Sequence, residues 1–354
     1  MKVLHLSPLW FPVARDSTGG IETFLPGLIV ELEKMGTQNT IIASGDSRTD
    51  ANLVPAVPVN IFAEMESRTV WEYAGYEQHE LLLALDMSPE FDVVHSHVGW
   101  GAYLLSGIPG VRERILHTQH NPVTRDLEWF VRRHPDIRFS TVSEFQARKL
   151  RQQGVKRCQV IQNGIDVGAF TFRKRGGEGL LFIGRIENDK GPDLAIRVAQ
   201  NLGCPLVLAG PVVDDEFFDG NIKPFLDGQI RYLGPVDHRQ KNELLGQSGC
   251  VLMPSRCEEG FGLVSLEAMA CGTPVVGLTS GALPEIIDPG LTGYVTEDEQ
   301  SLADLVMKAL KLDRNAIRDN AAARFSLSAV AQKYHQLYIQ IAAANTEREI
   351  GGRV

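Results

Sequence analysis

The chain has 354 residues, 44% of them apolar and 22% charged, with a formal net charge of −9. That length exceeds one compact core and predicts two domains, while the acidic balance argues against a general nucleic-acid binder. The five cysteines, Cys158, Cys204, Cys250, Cys257 and Cys271, are odd in number and lack C-x-x-C spacing, so zinc and a disulfide framework are both disfavoured and reduced cytosolic thiols fit best.

The opening MKVLHLSPLWF lacks the long apolar core of a signal peptide. No run of about 18 apolar residues is present, so a cytoplasmic protein without a spanning segment is expected. In chain order, KVLHLS, NTIIAS, FDVVHSH, RILHTQH, RFSTVS and QVIQN read as buried strands, and GLLFIGR, PLVLAG, IRYLG, CVLMPS and TPVVGL continue the series. Amphipathic stretches such as IETFLPGLIVELEKMG and GPDLAIRVAQNLG lie between them. Strand-then-helix alternation predicts parallel sheets covered on both faces. The pattern pauses at FRKRGGEG, a Gly-rich charged segment that reads as the join between two doubly wound α/β domains, 1–168 and 177–330. In the last segment Val330, Tyr334, Leu337, Tyr338 and Ile341 have helical spacing, so a helix over about 331–354 is expected to pack back on the first domain. Ligands of such sheets bind at the carboxyl ends of the strands, which predicts a site in a cleft between the domains.

Four clusters carry chemistry. Gly19-Gly20 precede a helix whose first turn is read to tolerate Pro26, and a glycine pair there suits backbone contact with phosphate or sugar; an ordinary tight turn explains it equally well. It is not G-x-G-x-x-G, which lowers a dinucleotide reading. His97 and His120 end strands of the first domain and would reach the site, while His95 and His117 alternate to the other side. No D-x-D or paired acidic spacing accompanies them, so no metal and no cofactor is expected. In FIGRIENDKGPDLAI, Arg185 and Lys190 share one strand-end loop and would clamp a diphosphate; a solvated loop is the plainer alternative. In CEEGFGLVSLEAMACG, the turn with Gly260 and Gly262 leads into a helix, offering the free amides of Phe261, Gly262 and Leu263 to an anion. Glu259 before the turn and Glu267 in the helix would accept from ligand hydroxyls. The plainer alternative makes Glu259 a cap and Glu267 a solvated helix residue.

Taken together these stretches resemble the retaining glycosyltransferases of family 4, which share the two-domain GT-B fold. Glu259 and Glu267 stand in the two glutamate places of an E-x7-E motif, and GRIENDKG resembles the Arg/Lys phosphate motif. GGIETFLPGLIVEL resembles the family's Gly-Gly-x-Glu helix, VIQNGID with Phe170 its N-G-x-D-x-x-x-F segment, and YLGPVD the turn where the base packs, at Val236. The match runs over about residues 2–298. The resemblance implies that Glu259 and His120 contact the donor sugar, that Glu267 binds ribose, and that Arg185 and Lys190 hold the diphosphate. Gly19, Gly20, Gly260, Phe261, Gly262, Leu263 and Val264 would complete donor binding, with His97 on the acceptor side. It implies transfer of a hexose with retention from a nucleotide sugar, UDP-hexose first and GDP-mannose next, without a metal. Relatives often carry an aromatic residue where Arg256 or Cys257 stands and Pro where Gly260 stands; both are read as tolerated.

Two other classes remain beside a transferase: a catalytically silent GT-B subunit that binds a nucleotide or a partner, and an epimerase or hydrolase on the same fold. The acceptor, whether carbohydrate, lipid-linked or a small molecule, is not specified by any motif. Segment 112–157 holds 11 Arg/Lys against five acids. A peripheral contact with an anionic membrane is one reading of that patch, and a solvated face is the other.

Overall fold

The computed structural model describes residues 1–67 and 72–351, with side chains to residue 345. The chain divides into two compact units, Met1–Gly164 with Leu327–Val354 and Ile165–Ser326.

The first unit is built on β1 (Lys2–Leu6), β2 (Gln38–Ser44), β3 (Asn52–Val57), β4 (Val93–Ser96), β5 (Ile115–Gln119), β6 (Arg138–Thr141) and β7 (Arg157–Val160), in the order β3-β2-β1-β4-β5-β6-β7. The second holds β8 (Leu180–Ile183), β9 (Leu206–Ala209), β10 (Ile230–Tyr232), β11 (Cys250–Met253), β12 (Val275–Leu278) and β13 (Gly293–Thr296), in the order β10-β9-β8-β11-β12-β13. The named strand pairings in both sheets are parallel. Each order reverses once, between β1 and β4 and between β8 and β11, and that reversal opens a crevice at the carboxyl ends of the central strands.

Runs of β-branched and aliphatic residues make the central strands buried on both faces, as KVLHL and CVLM show. One face of the first sheet is covered by the helices Gly20–Lys34 and Leu327–Gly351. Leu25, Leu28, Ile29, Val330, Tyr334, Leu337, Tyr338 and Ile341 pack there against Val3, Val93 and Leu116.

Three sequence expectations are corrected. The segment FRKRGGEG is no join. Gly177 N donates to Gln247 O at 2.7 Å, and Arg314 Nε donates to Arg173 O at 2.7 Å, so the segment is laced into the second unit and the chain passes between units at 164/165. The return helix begins at Leu327 rather than near residue 331. Pro26 lies inside the helix Gly20–Lys34, beyond its first turn. A proline there frees the carbonyl four residues earlier, and Glu22 O is satisfied instead by Ala14 N at 3.1 Å, which ties the preceding loop to the helix.

Candidate functional site

In the second unit the chemistry collects where β8 and β11 end. Lys190 closes a short 3-10 turn, Asn188–Lys190, and Gly191 follows in the left-handed region at φ 71°. A side chain at Gly191 would strike Pro254 O, so the loop after β8 can approach the end of β11 only with glycine there. Lys190 Nζ thereby meets Glu259 Oε2 at 2.8 Å, and Ser255 Oγ donates to the same oxygen at 3.4 Å. The backbone of Glu259 is fixed from β12: its N–H donates to Ser280 Oγ at 3.3 Å, and its carbonyl accepts from Ala282 N at 2.9 Å. Glu259 is therefore an oriented carboxylate and not a helix cap.

The helix Leu263–Ala270 follows, opened by Gly262 at φ 88° with no side-chain cap. Its first amides are left without a side-chain acceptor. Glu267, in its second turn, is 8% exposed, so the solvated reading of this residue fails. Its Oε1 accepts from Lys241 Nζ at 2.6 Å, and its Oε2 is buried with no hydrogen-bond partner. Lys241 belongs to the helix His238–Gln247, which starts one residue after the Val236-Asp237 turn and is held by a capping box between Asp237 and Gln240. Phe261 is buried, while Gly260, Leu263, Val264 and Val236 keep partial exposure around this carboxylate and the turn.

Arg185 remains on the loop after β8 with 59% of its side chain exposed, 2.8 Å from Glu187 Oε1. It does not meet Lys190's partner, so the two cations of the motif behave differently: Lys190 is engaged and Arg185 is accessible. Arg256, read as merely tolerated, is a brace. It donates to both Asp193 oxygens at 2.8 and 2.7 Å and to Asn188 O at 2.7 Å, holding the Lys190 loop. Sequence reading missed Lys241 and Arg256 because their partners lie 26 and 63 residues away. Burial raises the thiols of Cys250 and Cys271 to about 12, so neither is a nucleophile.

In the first unit, Gly19 caps the helix Gly20–Lys34 and a side chain there would collide with the Glu22 carboxyl. Glu22 is buried, and burial raises its pKa to about 7. His97 and His120 lie just past the ends of β4 and β5, with His97 Nδ1 and His120 Nε2 2.9 Å apart. Both are neutral. Burial lowers His120 to about 3, and burial with the neighbouring His95 and His120 drives His97 well below its ordinary value. His95 and His117 point elsewhere: His95 is bonded to Tyr338 and Thr118, and His117 Nε2 lies 2.8 Å from Ser106 Oγ. His5, His95 and His97 bring ligand atoms within 4.8 Å of one another, the spacing of a possible metal trio. Both nitrogens of His95 are already hydrogen bonded, which spends the ligand position such a trio would need.

The basic segment is less uniform than its count. Arg114 and Arg138 donate to backbone carbonyls within the unit. On the helix Arg125–Arg133, by contrast, Arg133 stacks 4.1 Å over Trp129, which is 57% exposed. Among the described residues no helix is long and apolar enough to cross a membrane.

Residues 18–168 match the family model Glycosyltransferase Family 4, and residues 171–324 match Glycosyl transferases group 1. D-inositol 3-phosphate glycosyltransferase of Mycolicibacterium smegmatis is 26% identical over 91% of this chain and 86% of that protein. AviGT4, a glycosyltransferase of avilamycin A biosynthesis, superposes with a TM-score of 0.71 at 23% identity, covering 97% of this chain and 98% of that one. Anabaena Alr3699/HepE, solved with UDP and glucose, gives a TM-score of 0.68 at 16% identity over 96% and 100% of the two chains. The chain belongs to the family 4 glycosyltransferases and has their GT-B fold.

Proposed function

We propose that this glycosyltransferase moves a hexose from a nucleoside diphosphate sugar, UDP-hexose first and GDP-mannose next, to an acceptor hydroxyl with retention and without a metal. The observation that carries the reading is the buried, partnerless Oε2 of Glu267. A buried carboxylate oxygen without a donor costs roughly 1–3 kcal/mol or more, and a ribose hydroxyl is the donor it lacks. Lys241 holds the other oxygen, so the carboxylate is aimed before ligand arrives.

In this reading Glu259, oriented by Lys190 and Ser255, accepts from hydroxyls of the donor sugar. The open amides at Leu263 and Val264 take the diphosphate, and the exposed Arg185 adds its charge as the leaving group departs. Lys190 neutralises Glu259 and lends its remaining donors to the phosphate. Neutral His120 contributes a hydrogen bond toward the sugar, with His97 on the acceptor side. The departing diphosphate itself accepts the acceptor's proton on the face it leaves, so no separate carboxylate base is required. What supports a membrane-borne acceptor is Arg133 stacked on the exposed Trp129 of the helix Arg125–Arg133, with Trp100, 52% exposed, against Phe130 of the same helix.

The test is a panel of UDP-, GDP- and ADP-sugars assayed for thermal shift and for release of nucleoside diphosphate, in buffer containing EDTA. UDP-sugars should stabilise the protein most. Glu267→Gln should weaken nucleoside diphosphate binding about tenfold, the loss of a charge-assisted bond of about 1.5 kcal/mol. Unchanged binding by that variant would overturn the ribose assignment, and activity restored only by Mg²⁺ or Mn²⁺ would overturn metal independence.

A further inference from the structure

The face of the first sheet under the carboxyl-terminal helix changes character along its strands. Val3, Val93 and Leu116 form an apolar floor. Two residues further along each strand the same face carries His5, His95 and Thr118, and β6 adds Ser140 beside them. These side chains are almost completely buried. An apolar layer would be the less costly filling, so a buried polar ladder in this position calls for a reason.

Its hydrogen bonds form one continuous chain. Tyr338 OH lies 2.5 Å from His95 Nδ1, and His95 Nε2 lies 2.6 Å from Thr118 Oγ1. Thr118 Oγ1 also meets Ser140 Oγ at 2.6 Å and Tyr334 OH at 3.2 Å. A neutral imidazole has one donor and one acceptor nitrogen. If Tyr338 donates its phenolic proton to Nδ1, Nε2–H donates to Thr118, whose oxygen also accepts from Tyr334 and whose proton goes to Ser140. Each of these hydroxyls and nitrogens is then satisfied at least once, and the plane of His95 is held from both ends.

His97 packs on that fixed ring, with centroids 4.0 Å apart, and on His5 at 6.0 Å. Its own Nε2 is buried with no partner. A proton placed on Nε2 would be an orphaned buried donor, so it resides on Nδ1, which faces His120 Nε2 at 2.9 Å. His120 must then accept at Nε2 and keep its own proton on Nδ1.

We propose that Tyr338 is a positioning residue for the transfer reaction: acting through His95 and His97, it holds His120 as the tautomer whose Nδ1–H is free to meet the donor. This rests on the assignment of His120 to the donor sugar. The ladder links residues 243 positions apart, and it makes the carboxyl-terminal helix a functional part of the unit as well as a cover for its core.

The tautomer is read directly from the ring nitrogens of ¹⁵N-labelled full-length protein at pH 7, because protonated and bare imidazole nitrogens resonate far apart. His120→Gln identifies the His120 signals. In the parent, His120 should show a protonated Nδ1 and a bare Nε2. Tyr338→Phe removes one oxygen and preserves shape, and Thr118→Val attacks the ladder from its other end. In both variants the His97 and His120 signals should broaden or average between tautomers. The kcat should fall roughly ten- to a hundredfold, the size associated with a small misplacement of a reacting group. The dissociation constant for nucleoside diphosphate, which engages the other unit, should change less than twofold. Unaltered His120 signals in both variants would overturn the proposal even where the melting temperature drops, because a merely structural role would lower stability alone. Parental activity in His120→Gln, with the ladder signals as described, would instead remove the donor role of His120 and with it the functional half of the proposal.

Discussion

Lowering the pH from 7 to 5 should destabilise the first unit selectively. Burial lowers His5 from an ordinary 6.5 to about 4, with its Asn39 bond opposing, and lowers His117 to about 3. In the unfolded chain both rings gain a proton below 6.5, while in the folded unit they resist it. A depressed folded pKa gives stability that is present above the unfolded value and lost as pH falls toward the folded one. At pH 5 each ring then costs about 2 kcal/mol, about 4 kcal/mol for the pair. His95 and His97, driven well below their ordinary values first by burial, act in the same sense. Glu22, raised to about 7 by burial, has the opposite sign: its penalty is relieved as pH falls and returns about 2 kcal/mol. Glu80, raised by burial and by Glu77, also opposes. The histidines outnumber the carboxyls, so a net loss remains against a typical domain stability of about 5–15 kcal/mol. The second unit carries His238 as its sole histidine and no tryptophan, whereas all four tryptophans, Trp10, Trp71, Trp100 and Trp129, belong to the first. Tryptophan emission therefore reports the first unit, and far-ultraviolet dichroism reports both. The urea midpoint by emission should fall between pH 7 and 5, leaving a later dichroism transition from the second unit. A midpoint by emission that holds or rises over that range would refute the reasoning.

Arg185→Ala should slow transfer with little change in melting temperature, since its side chain is exposed, whereas Lys190→Ala should do both, because it strips Glu259 of its 2.8 Å partner. Equal melting losses in titration calorimetry-matched samples would show that Arg185 is not the accessible cation. Vesicles with anionic lipid should co-sediment the protein at low salt and release it at about 0.5 M, where ~1 kcal/mol per surface cation is screened. Replacing Arg132, Arg133, Arg148 and Lys149 by Ser should abolish that binding, and no binding by the parent at low salt would favour a soluble acceptor.

Most of the strands were legible because buried parallel strands are continuous apolar runs bounded by turn residues. Two strands escaped. NLVPAV, β3, contains Pro55, which demotes a run to an edge, and β3 is the edge strand. GYVT, β13, is four residues long and opens with glycine. The motif residues were legible by spacing, but their partners were not. Lys241 and Arg256 carry no local signal, and Tyr334 and Tyr338 read only as core positions of a helix. Their hydroxyls matter because of what the sheet places opposite, and periodicity does not reveal that. The first-turn placement of Pro26 failed because the carbonyl it frees finds its donor outside the helix, at Ala14.

The return of Leu327–Gly351 to the first unit also sets an order of events during synthesis. Val330, Ala331, Tyr334, Leu337, Tyr338 and Ile341 complete a core begun by Val3 and Leu25, yet they are made only after the whole of the second unit. Burying large apolar side chains of this kind contributes about 1.5–3 kcal/mol each, so their sum rivals the whole stability of a domain. A nascent chain paused just before residue 327 contains all of Ile165–Ser326 but leaves an open apolar flank on the unit before it. The usual progression, in which the amino-terminal domain folds first, is inverted. The middle of the chain can mature while the beginning waits for residues 327–341, and a premature stop just before codon 327 would strand the first unit rather than trim it.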